Sequence, residues 1–107
     1  MPVWPVYAGG LLFAGMLSVA AAAAPRTVSM VMADLKFGPV PGQLHVGDRL
    51  TFVNRDIFQH SATADDKSFD VDLKPGQQGS IVLKRPGAYS FICKYHPGMK
   101  GRIVVGR

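Results

Sequence analysis

The chain has 107 residues, 48 % of them hydrophobic, and carries 12 Lys and Arg against 7 Asp and no Glu, a formal excess of +5. That length admits one domain, and the single cysteine rules out an internal disulfide framework. No nucleic-acid-binding motif accompanies the basic balance, so the charge reads as a solvated face or a docking surface.

From Met1 to Pro25 there is no charged residue, and Leu11–Ala24 is an apolar run ending in alanines. Residues 1–24 therefore read as a signal peptide with a small-residue cleavage site, cut after Ala23, or as a retained membrane anchor, since so long an uncharged stretch can span a bilayer. Either form places the remainder, residues 25–107, outside the cytoplasm, in the periplasm or an equivalent compartment. All the charge lies in that remainder. Every acid falls between Asp34 and Asp72, while Lys84, Arg85, Lys94, Lys100, Arg102 and Arg107 make the last third wholly basic.

Beyond Pro25 the apolar residues repeat every second position in short runs. Val28, Met30 and Met32 come first, then Leu50 and Phe52, Ile81 and Leu83, and finally Tyr89, Phe91 and Cys93. Residues two apart share one face of a strand. Turn chemistry separates the runs at Gly38-Pro39, Pro41-Gly42, Gly47-Asp48, Lys74-Pro75-Gly76, Pro86-Gly87 and Pro97-Gly98. No stretch sustains a helical period, so the expectation is an all-β antiparallel sandwich or barrel.

Cys93, His96 and Met99 fall within seven residues, and His60 opens an upstream strand over Ser61–Ala64. Singly each has an ordinary explanation: a small buried hydrophobe, a loop residue, a core filler. Jointly, a thiolate, two imidazoles and a thioether form the donor set of a blue-copper site. Cys93 continues the inward face of its strand, and the steps to His96 and Met99 describe a tight loop able to wrap one ion. His45, between Leu44 and Val46, has no second donor beside it and reads as a surface residue. A thioether is a poor zinc ligand, whereas soft sulfur with imidazole suits both Cu(I) and Cu(II). With no protein position left for a substrate, the donor set points to outer-sphere electron transfer and not to an enzyme; no catalytic residue is expected.

Lys36 to Val105 resembles a small cupredoxin of the amicyanin and plastocyanin type. The matching pieces are Phe37-Gly38-Pro39, Val46-Gly47-Asp48, Thr51-Phe52-Val53-Asn54, His60, Ser68-Phe69-Asp70, Leu73-Lys74-Pro75-Gly76, Pro86-Gly87-Ala88-Tyr89 and the Cys93-to-Gly101 loop. The His96-to-Met99 step is that of amicyanin. The resemblance implies a Greek-key β-sandwich holding one copper ion, with His60, Cys93 and His96 as equatorial ligands, Met99 as the weak axial one, and electrons passing through the edge of His96. Where amicyanin and plastocyanin carry asparagine after the first ligand, this chain has Ser61, the expected brace for the loop. Where amicyanin has proline before its loop histidine, this chain has Tyr95, whose N–H is expected to donate to the Cys93 sulfur. The short interval from His60 to Cys93 leaves no room for an intervening flap or helix.

The expected role is a monomeric one-electron carrier, docking through Phe58, Pro97 and Gly98 around His96. Lys94, Lys100 and Arg102 flank that patch, which calls for a redox protein partner with an acidic surface. Any membrane contact would run through residues 1–24. The alternative is an extracytoplasmic copper-binding module for delivery or storage, using the same ligands with facile metal exchange.

Overall fold

The structure is a computed structural model and describes residues 24–107; the expected leader, residues 1–23, lies outside the described residues. Nine strands follow one another: β1 (Thr27–Ala33), β2 (Lys36–Phe37), β3 (Leu44–His45), β4 (Arg49–Asn54), β5 (His60–Ala64), β6 (Asp70–Leu73), β7 (Gln78–Val82), β8 (Gly87–Cys93) and β9 (His96–Gly106). No helix occurs among the described residues, so none is long and apolar enough there to cross a membrane. The interval from His60 to Cys93 holds only strands and turns, without flap or helix, as its length implied.

The strands form two sheets, one in the order β2-β1-β4-β7 and the other β3-β9-β8-β5-β6. The alternating runs land on the inner faces. Val28, Met30 and Met32 of β1 face Phe91 and Cys93 of β8 and Ile103 and Val105 of β9, and all are at most 5 % exposed. Each large side chain so buried contributes about 1.5–3 kcal/mol, and four aromatic rings interlock at the centre. Phe91 meets Phe37 edge-on at 4.7 Å between centroids and packs against Phe52 at 5.9 Å and Phe69 at 5.7 Å.

One expectation needs correction. The sandwich is not wholly antiparallel: β1 pairs with β4, and β3 with β9, in parallel. Between β1 and β4 the chain crosses to the other sheet as β3, so it returns running in its original direction. Alternation along a strand reports which face is buried and is silent on the direction of the neighbour.

Two backbone features bear on the site. The β1–β2 turn has Asp34 and Leu35 at φ 52° and 57°, the paired positive values of a type I′ hairpin turn, a conformation that suits Gly or Asn and strains leucine. Gly101, opposite Phe91 in the β8–β9 ladder, has no room for a side chain because a Cβ there would enter the Phe91 ring.

The pairing of β5 with β8 decides where the site lies. Thr63 faces Ile92 and Ala64 faces Phe91 in antiparallel register. The start of β5 therefore meets the end of β8, and His60 and Cys93 arrive at the same end of the sandwich.

Candidate metal centre

His60 is fully buried, and its position is built from the loop before it. Asn54, at the end of β4 and also 0 % exposed, donates through Nδ2 to the Phe58 carbonyl at 2.8 Å and to the Leu73 carbonyl at 3.0 Å, while its Oδ1 accepts the Asp56 N–H at 2.9 Å. The amide thus templates residues 54–60 and turns Asp56 back onto the ring. His60 Nε2 lies 2.9 Å from Asp56 Oδ2, which also accepts the Leu35 N–H at 2.9 Å. These bonds from His60 and Leu35 hold the Asp56 carboxyl below its ordinary range. An ionised carboxylate only accepts, so Nε2 carries the ring proton and Nδ1 presents its lone pair.

That lone pair faces the cysteine. Cys93 Sγ, 0 % exposed, lies 3.6 Å from His60 Nδ1. Imidazole–metal and thiolate–metal bonds of about 2.0 and 2.3 Å both reach a single ion across such a gap. An ion held between the two donors would take the place of the thiol proton. The pair therefore fits a soft ion.

The sulfur's N–H donor differs from the expected one. The Ser61 N–H donates to Cys93 Sγ at 3.3 Å, and no bond joins the Tyr95 N–H to the sulfur. The antiparallel register brings the Ser61 backbone directly over Sγ, whereas the Tyr95 residue turns outward toward β6. Ser61 does brace the loop. Its Oγ accepts the Lys94 N–H at 2.9 Å and shares a hydrogen bond with Thr63 Oγ1 at 2.9 Å.

The segment from Cys93 to Met99 is less of a loop than its turn residues suggest. Cys93 pairs with His96 across a two-residue turn, Lys94-Tyr95, and the ladder next pairs Ile92 with Lys100. Pro97, Gly98 and Met99 are the extra residues of a bulge, which lets the strand bend while its side chains are re-aimed. Met99 turns inward and is 4 % exposed; His96 stays partly exposed. The His96 ring stands 5.2 Å from that of His60, at 70° to it, and 5.6 Å from Phe58. Among the described residues, no three His, Cys, Asp or Glu side chains converge closely enough to hold an ion. The structure forms the His60–Cys93 pair and sets His96 and Met99 beside it.

The surroundings alter the charge expected there. Lys94 is not a free cation: its Nζ lies 2.7 Å from Asp72 and 3.3 Å from Asp70. Both acids sit on one face of the edge strand β6, two residues apart. The apolar rim is wider than expected, because Ile57 is 81 % and Phe58 43 % exposed beside the exposed Pro97 and Gly98. His45 is exposed on the far edge strand β3, with its ring 3.9 Å from Asp48, consistent with a surface residue.

Asn54 and Asp56 carry roles that sequence reasoning did not assign. The only signal is their place between a strand end and His60. Without a helix, a four-residue spacing predicts no contact; the Asn54-templated loop creates it.

A two-layer β-sandwich closed at one end by a buried thiol–imidazole pair, with a second imidazole and a thioether alongside, defines a small soft-metal protein. The family model described as a cupredoxin-like domain matches residues 6–105, and the chain belongs to that family. It is 29 % identical over 100 residues to amicyanin-alpha of Methylorubrum extorquens, spanning 88 % of this chain and 84 % of the relative. It is 32 % identical over 118 aligned positions to plastocyanin of Prochlorothrix hollandica, spanning 94 % and 90 %. Among solved structures, a Cu(I) amicyanin variant superposes with a TM-score of 0.60 at 25 % identity, over 74 % of this chain and 81 % of that one. The copper-containing nitrite reductase of Thermus scotoductus reaches 0.65 at 33 % identity over 78 % of this chain, but only 22 % of the enzyme is covered.

Proposed function

We propose that the domain is a type 1 copper protein that carries one electron at a time, with His60, Cys93 and His96 as the strong ligands and Met99 as the weak one. The observation that carries this reading is the fully buried His60 Nδ1–Cys93 Sγ pair, 3.6 Å apart, with the ring tautomer fixed by Asp56. Amicyanin and plastocyanin, which span most of this chain, are electron carriers. Copper supplies the Cu(I)/Cu(II) couple, and the chain's own residues do the rest. Asp56 and Asn54 fix the His60 ring, Ser61 fixes the sulfur, and the sandwich excludes water from both. His96 alone of the donors is partly open to solvent, which makes its edge the exit for electrons.

The likeness to the nitrite reductase extends to less than a quarter of that enzyme and brings no catalytic assignment with it. A groove of about 650 Å³ is lined by Phe69, Ile81, Leu83 and Tyr89 with Lys84 and Arg85, and by none of the four donors. Outer-sphere transfer needs no such pocket. The full burial of His60 and Cys93 likewise favours a carrier over a delivery module, which must release its ion readily.

Docking is assigned to the apolar rim of Ile57, Phe58, Pro97 and Gly98. With Lys94 neutralised by Asp70 and Asp72, the steering charge falls to Lys100 and Arg102, exposed on β9, and the partner is a redox protein presenting acidic groups opposite them. The domain works outside the cytoplasm, in the periplasm, as a monomer that residues 1–24 either export or tether.

The visible spectrum of the Cu(II)-loaded domain tests the site. An intense thiolate-to-copper band that vanishes in Cys93→Ser supports it, and a colourless Cu(II) form overturns it. For the surface, association with the donor slows with added salt, and Lys100→Ala with Arg102→Ala flattens that dependence; a salt-independent rate removes the steering claim.

A further inference from the structure

The turn between Cys93 and His96 is not locked by its own backbone. Two-residue hairpin turns that match the strand twist need a positive φ at one or both central residues. Here neither Lys94 nor Tyr95 has one; among the described residues, the non-glycine residues with positive φ are Asp34, Leu35 and Lys67. A turn of this kind splays its strands, and regular pairing resumes only at Ile92 and Lys100, beyond the bulge. Yet this turn sets the separation of two of the proposed copper ligands.

Both turn residues are held from outside by one carboxylate. Tyr95 OH donates to Asp72 Oδ1 at 2.6 Å, and Lys94 Nζ donates to Asp72 Oδ2 at 2.7 Å. Asp72 lies on the edge strand β6, where it pairs with Ser61 of β5, the residue whose Oγ accepts the Lys94 N–H. One rung of the β5–β6 ladder therefore grips the turn by its backbone and by both side chains. Gln59 Nε2 adds a bond to Tyr95 OH at 3.2 Å, tying in the residue next to His60.

We propose that Asp72 is a positioning residue for the metal centre. It clamps Lys94 and Tyr95 so that the Cys93–His96 spacing is fixed before metal arrives and stays fixed when the oxidation state changes. The proposal rests on the copper reading given above. It differs from the ordinary fate of exposed ion pairs, which add little to stability, because the effect expected is local. Asp72 does not hold the fold together; it holds one turn in one shape.

The test uses the full chain in metal-free and copper-loaded forms. In the metal-free protein, hydrogen exchange of the Lys94 amide, which is bonded to Ser61, reports the turn directly. Losing two charge-assisted bonds in Asp72→Ala is expected to speed that exchange about tenfold or more, while the global melting temperature moves little. Asp72→Asn keeps an acceptor for Tyr95 and is expected to fall between. Asp70→Asn, which weakens the longer Lys94 contacts while its amide oxygen can still accept from Thr63 Oγ1, is expected to resemble the parent. In the copper-loaded protein, Asp72→Ala is expected to broaden the Cu(II) electron paramagnetic resonance signal and slow electron self-exchange several-fold. Unchanged Lys94 protection in Asp72→Ala overturns the clamp, whatever the colour of the copper form. A colourless Cu(II) form with accelerated Lys94 exchange instead retires the copper reading and leaves the clamp as a hairpin tie.

Discussion

The carboxylate of Asp56 meets the buried ring of His60 at 2.9 Å, and the oxygen that does so also accepts the Leu35 N–H from the β1–β2 turn. One atom thereby ties a hairpin of the first sheet to the imidazole that opens β5 in the second. The arrangement fixes Nδ1 as the ring nitrogen that faces Cys93 Sγ, the one proposed to bind copper. It also makes His60 dependent on a turn that is itself strained.

Removing that carboxylate leaves the Nε2–H of a fully buried ring and the Leu35 N–H without an acceptor. Asp56→Ala is expected to lower the melting temperature by several degrees and to weaken copper binding about 10- to 100-fold, the usual effect of losing a partner that orients a metal-binding histidine. Competition for copper against a chelator of known affinity measures the second effect. Equal affinity in variant and parent would show that the ring needs no such partner.

Leucine gains nothing from the left-handed conformation it adopts at residue 35, and its side chain is 43 % exposed. Leu35→Asn keeps the N–H that bonds Asp56 and relieves a strain of about 1 kcal/mol. A denaturation midpoint shifted upward by that amount is expected, with the copper spectrum unchanged.

Ser61→Ala withdraws the acceptor of the Lys94 N–H while leaving the Ser61 N–H on Cys93 Sγ. The loss of that buried acceptor is expected to cost about 1–3 kcal/mol. Urea denaturation of the metal-free protein gives the value.

Adding one methyl group at Gly101 forces the Phe91 ring aside, and Phe91 holds Phe37, Phe52 and Phe69 in place. Overpacking of this kind costs about 1–3 kcal/mol. Gly101→Ala is therefore expected to melt well below the parent, and a companion Phe91→Leu substitution to recover part of the loss.

Asp48 is one of the carboxylates that make stability sensitive to acid, and it lies away from the proposed metal site. Its carboxylate accepts the Arg26 N–H and the His45 N–H, each at 2.9 Å, and these bonds lower its pKa from the ordinary 3.8. A group whose folded pKa is depressed adds stability that is complete above its unfolded pKa and is lost as pH falls through the folded one. Unfolding titrated from pH 5 to pH 2 is thus expected to show stability falling below about pH 3.8, and Asp48→Asn to flatten that fall.

Much of this protein is legible in one dimension. Val28, Met30 and Met32, or Tyr89, Phe91 and Cys93, declare strands because residues two apart must share a face. The Pro/Gly pairs mark where the strands end. The proposed donors stand out by chemistry, since Cys93, His96 and Met99 lie within seven residues and His60 opens a strand.

Contacts that depend on which strands become neighbours stayed hidden. The parallel pairing of β1 with β4, the Ser61 N–H on the sulfur, the Asp72 grip on Lys94 and Tyr95, and the Asp56–His60 bond all join residues whose spacing predicts no meeting. Local alternation fixes the face a side chain takes, and donor chemistry fixes what it can bind. Register across the sheets decides which backbone N–H lies over Cys93 and which carboxylate reaches each neighbour, and that follows only once the whole core has closed.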